Sequence, residues 1–141
     1  MTTILATLTG LTTTGANVFR GRVYALEDTE VPALTIYQGA DTPLGDYGPN
    51  NFSVMDMELA VRVTAHVKSA STQVETLLNT IRSEVHTAMM ADYRLGLSYV
   101  QTTIPDGAAE PDESGIGEQP TATMNMNWLI RYRSDVTSLE V

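Results

Sequence analysis

Met55-Asp56-Met57-Glu58-Leu59-Ala60-Val61-Arg62-Val63-Thr64-Ala65-His66-Val67 decides the fold. Met55, Met57, Leu59, Val61, Val63, Ala65 and Val67 take every second position, while Asp56, Glu58, Arg62, Thr64 and His66 fill most of the gaps. A two-residue period is that of a strand with one buried and one wet face. A second stretch, Ala122 to Tyr132, repeats the pattern: Ala122, Met124, Met126, Trp128, Ile130 and Tyr132 alternate with Thr123, Asn125, Asn127 and Arg131, and only Leu129 breaks the polar set. Parallel sheets usually bury both faces, so these two-faced strands predict an antiparallel or mixed sheet with helices packed on one face. The fold class is α+β, and the opposite sheet face is left for solvent or another subunit.

Between the two strands the spacing predicts a helix from Ser71 to about Ala91. Val74, Leu77, Leu78, Ile81, Val85, Ala88 and Met89 fall within about a third of its circumference. Thr72 followed by Glu75 has the spacing of a capping box, which places the start. Ile4, Leu8 and Leu11 form a short helical stripe that Gly10 or Gly15 can end. Asn17 to Leu26 reads as extended or looped, Leu34 to Gln38 as a short strand entered from Pro32, and Leu97 to Ile104 as a weaker strand. Gly39 to Asn51 and Pro105 to Pro120 have the composition of long loops, which in compact domains often carry function.

The chain has 141 residues, 43% of them hydrophobic, which fits a single domain over 1–141 with a real core. Seventeen acidic against eight basic residues, net charge -9, work against specific nucleic-acid binding, which needs clustered cations. The absence of cysteine removes disulfides, thiolate nucleophiles and thiolate metal sites. The amino terminus lacks the pattern of a signal peptide, and no stretch approaches the roughly 20 apolar residues of a membrane span, so a soluble protein with no membrane contact is expected.

Candidate chemistry is sparse. Asp106, Glu110, Asp112, Glu113 and Glu118 lie in a segment with no basic residue, but not at the regular spacing of a calcium loop, so they read as solvated or partner-facing. His66 and His86 share no metal spacing and read as surface residues. Ser114-Gly115-Ile116-Gly117 is not a nucleophile elbow. No catalytic residue, cofactor site or metal site is assigned.

Thr14-Gly15-Ala16-Asn17-Val18-Phe19-Arg20-Gly21-Arg22-Val23-Tyr24-Ala25-Leu26, then Val31-Pro32-Ala33-Leu34-Thr35-Ile36-Tyr37, together with Trp128-Leu129-Ile130-Arg131-Tyr132-Arg133, resemble the tail terminator proteins of long-tailed bacteriophages, the minor tail protein U-like family. The likeness covers most of the chain, and the short amino-terminal helix departs from it. The resemblance implies a homo-oligomeric ring, usually a hexamer, that caps the finished tail tube, stops its polymerisation and offers a surface to head–tail connector proteins. It also implies assembly in the host cytoplasm and a place in the virion at the head-proximal end of the tail. A ring traversed by DNA would gain from an acidic lumen, because like charge discourages the polyanion from sticking. The residues expected at subunit or partner interfaces are Arg20, Arg22, Tyr24, Asp46, Tyr47, Glu110, Asp112, Glu113, Arg131 and Arg133, with the arginines pairing across subunits with acids such as Asp112 and Glu113. The alternatives are a head–tail connector or tail completion protein, or a small-ligand-binding α+β domain.

Overall fold

The computed structural model describes residues 1–45, 54–68, 73–109, 111–114 and 121–135. Its elements run α1 (Thr2–Leu8), β1 (Val18–Arg20), a 3₁₀ turn (Asp28–Glu30), β2 (Ala33–Pro43), β3 (Val54–Lys68), α2 (Val74–Ala91), β4 (Val100–Ala108), β5 (Asp112–Ser114) and β6 (Thr121–Asp135). One mixed sheet of order β1-β2-β3-β6-β4 results, with β5 also against β6. β1 runs parallel to β2, and the other pairs are antiparallel.

The two alternating stretches are the centre of this sheet. β3 and β6 pair in unbroken register from Val54 opposite Asp135 to Lys68 opposite Thr121. That register puts Val61 beside Trp128 and Val63 beside Met126, so the apolar set of each strand points to one side. α2 lies across it with Val74, Leu78, Ile81, Val85 and Met89 buried, and α1 adds Ile4 and Leu8 to the same continuous core. Full burial of each such aliphatic side chain contributes about 1.5–3 kcal/mol, so this layer dominates stability. The α+β class and the helix-covered face are as the alternation predicts.

Several boundaries differ. α2 begins at Val74 with Gln73 as N-cap and no side-chain cap hydrogen bond, so the expected start at Thr72 is not observed, and Thr72 lies outside the described residues. α1 stops at Leu8, where Thr9 turns extended and its N–H and hydroxyl both donate to the Leu5 carbonyl, before Gly10 at φ 91°. Leu11 leaves the predicted stripe to bridge Gly15.

Among the described residues, most of what reads as loop in the sequence is strand. β2 continues through Gly39 to Pro43, with a register shift between Gln38 and Asp41. A Cβ on Gly39 would sit 3.2 Å from the Ala60 Cβ, so glycine permits the close approach of β2 to β3. β4 runs through Pro105 to Ala108, again with a register shift, at the sheet edge where a missing N–H is tolerated.

Candidate interaction surfaces

The connection from β1 to β2 is organised around one side chain. The Arg22 guanidinium donates to both Glu30 carboxylate oxygens, at 2.8 and 2.7 Å, and to the Tyr24 and Ala25 carbonyls at 3.2 and 3.3 Å. It also lies over the Phe19 ring at 4.6 Å. Glu30 accepts the Glu27 N–H at 2.7 Å, completing a capping box on the 3₁₀ turn. The Tyr37 hydroxyl donates to the Arg22 carbonyl, and Lys68 pairs with Asp28 at 2.7 Å. The Arg22 hydrogen bond, then the Glu27 N–H, hold the Glu30 carboxyl below its usual range. The outcome is a braced loop whose tip places Val23 and Tyr24 in solvent, 91% and 85% exposed.

The sheet face opposite the helices is laced by cross-strand charge pairs. Arg131 donates to Glu58 at 2.9 Å and Arg133 to Asp56 at 2.8 Å, while the Gln101 amide donates to Asp56 at 3.0 Å. The Arg133 hydrogen bond holds the Asp56 carboxyl below its usual value. The Arg62 guanidinium lies 5.0 Å from the Tyr37 ring centroid, and Thr64 donates to the Asn125 side-chain oxygen at 2.7 Å.

Three of the expected interface arginines have partners within the chain. Arg22, Arg131 and Arg133 each meet an acid of their own chain, because antiparallel register sets opposite charges side by side and the loop folds back on itself. Of the eight basic side chains, Lys68 is also ion-paired, while Arg62 and Arg94 stack on tyrosines. Arg20 and Arg82, both exposed, have no ion pair among the described residues. Arg20 lies close enough to the Met1 amine to help burial lower its pKa. Arg82 is absent from the sequence-derived set, since only helix packing shows where it points. Asp112 is exposed on β5 opposite Thr123. Asp46, Tyr47 and Glu110 lie outside the described residues, as does the Glu113 side chain.

His66 also departs from its reading as a surface residue. It is partly buried, its Nε2 is 2.8 Å from the Thr35 hydroxyl, and burial lowers its pKa. Leu26, Glu27, Asp28 and Val31 of the braced segment line the same concavity as His66 and Lys68. His86 is exposed, as expected, but its ring centroid lies 5.7 Å from that of Trp128.

That ring pair marks a pocket of about 260 Å³ between α2 and the bulged edge strand, walled by Arg82, His86, Pro105, Gly107, Ala108 and Trp128. A second depression, about 320 Å³, opens on the opposite face over Tyr37, Gly39, Ala60, Arg62 and Asp106. Among the described residues no three His, Asp or Glu side chains gather as a metal would require, and no helix is long and apolar enough to cross a membrane. No protein-family model matches the chain, and no curated protein matches it in sequence.

Proposed function

We propose that this protein is a structural subunit of a phage tail, a tail terminator that forms a homo-oligomeric ring, most simply a hexamer, on the end of the completed tail tube. The ring stops tube polymerisation and presents a surface to head–tail connector proteins. In this reading it is not an enzyme, is assembled in the host cytoplasm, and ends in the virion at the head-proximal end of the tail. The observation that carries the reading is the fate of the stretch Thr14 to Tyr37, on which the family likeness rests. It folds as one continuous unit: β1 and the start of β2, whose Val18, Leu34 and Ile36 join the core, and between them the Arg22-braced loop holding Val23 and Tyr24 in solvent. Large apolar side chains on a rigid loop favour a protein partner, because binding then orders little that was not already ordered.

The test is addition of the purified chain to tail tubes growing from their tube protein, with tube length and end structure followed by electron microscopy. Capped tubes of arrested length, each ending in a ring, are expected. Tubes that elongate unchanged at every protein concentration would remove the proposal.

A further inference from the structure

We infer that the Val23–Tyr24 tip of one copy docks into the pocket beside Trp128 of a second copy. The inference rests on the ring reading and names the contact that would build it. The two features sit at opposite edges of the sheet. The tip follows β1, the edge strand on one side, and the pocket is walled by β4, the edge strand on the other, together with α2 and β6. Each is suited to the other and not to itself: one is a convex pair of apolar side chains, the other a concavity walled by an indole, an imidazole and a proline. A contact between two different patches is head-to-tail, and repetition of it closes into a ring when its rotation is right.

Size and charge narrow the occupant. A volume of about 260 Å³ lies below the roughly 300–1,000 Å³ of most small-molecule sites, yet accommodates one aromatic side chain. Tyrosine, with a large flat surface and few rotatable bonds, is among the residues that dominate interface energetics. The rim of the pocket carries Arg82, which among the described residues has no ion pair and, unlike Arg62 and Arg94, stacks on no tyrosine. The tip is followed by exposed Glu27. On a chain of net charge -9, a cation at the pocket and an acid behind the tip offset repulsion between copies and fix which edge meets which. The bidentate Arg22–Glu30 brace keeps the tip in its docking shape beforehand.

The native chain has no cysteine, so cross-linking is clean. The double variant Tyr24→Cys/Ala108→Cys, oxidised at assembly concentration, is expected to give a ladder of covalent oligomers ending at the ring number. Each single variant should stop at dimer. Tyr24→Asp and Arg82→Glu, both at exposed positions, should each weaken self-association at least tenfold by sedimentation equilibrium while leaving the melting temperature in place. Rings by electron microscopy without a ladder would overturn this contact and leave the ring reading standing. A ladder from a protein that fails to cap tail tubes would support the contact and remove the terminator reading. Neither ladder nor ring would overturn the contact outright.

Discussion

On the helix-covered side of the sheet Val61 lies opposite Trp128 and Leu59 opposite Ile130; one residue along, on the other side, Arg62 lies opposite Asn127 and Glu58 opposite Arg131. Both rows are read from the same strands in the same register, yet they do different work. The covered row removes apolar area from water and sets stability. The uncovered row supplies charge and hydrogen-bond pairs that exclude a slipped register, since a shift by one residue would drive Arg62 and Glu58 into the core. Stability and register are thus assigned to opposite faces.

The strongest way to break this comparison is to cut into the covered face. Ile81→Ala removes a fully buried side chain and should cost about 2–5 kcal/mol in denaturant unfolding. A loss no larger than that of an exposed position would contradict the packing of α2 on β3 and β6. Tyr132→Phe probes a hydrogen-bonded polar group on that face. Its hydroxyl donates to Asp41 at 2.7 Å, and the other Asp41 oxygen is buried with no partner among the described residues. Removing the donor should cost about 1–3 kcal/mol. Burial, then the Asp41 hydrogen bond, raises the Tyr132 pKa well above the ordinary phenol value. An alkaline spectrophotometric titration in which all six tyrosines ionised together near pH ~10 would refute this.

On the other face the expected effects are smaller and depend on pH. Burial lowers the folded-state pKa of His66, so the unfolded chain binds the proton more readily. Its contribution is therefore complete above the ordinary histidine value of roughly 6.5 and is lost as pH falls through that value toward the folded one. Glu30 and Asp56, whose pKa values are lowered by arginines, lose their contribution only below the ordinary carboxylate range near ~4. The melting temperature should decline from about pH 7.5 to about pH 5.5, and His66→Gln should flatten that slope; an identical slope in the variant would exclude His66 as its source. Arg131→Ala should have the least effect, about 0–1 kcal/mol, because its pair with Glu58 is partly solvated. A double-mutant cycle with Glu58→Ala measures it, and a coupling as large as the Ile81 effect would erase the distinction between the faces.

How much of this was legible in the sequence follows the same division. The covered face announced itself, because Val61, Val63, Met124 and Met126 repeat at the strand period and Leu78, Ile81 and Val85 at the helical one. Segments held by neighbours and not by their own pattern did not. Gly39 to Pro43 and Pro105 to Ala108 look like loop, and they are strand because β3 and β6 offer hydrogen-bond partners. The Arg22–Glu30 brace had one local trace, Glu27 and Glu30 at capping-box spacing, but the N-cap was not the usual Ser or Thr. The pocket beside Trp128 left no trace, since His86 and Trp128 meet only through the angle at which α2 lies on the sheet.

The full-length β3–β6 seam also governs the timing of folding. Glu58 and Arg131 are 73 positions apart in the chain, so the innermost pair of strands is closed by a late segment. During synthesis β2 and β3 emerge with their apolar row unpaired on one side until residues 121–135 follow. Such distant pairing slows folding and leaves a sticky strand edge in the nascent chain. The arrangement delays acquisition of the native sheet until β6 has been made, and chaperone occupancy should be greatest in that interval.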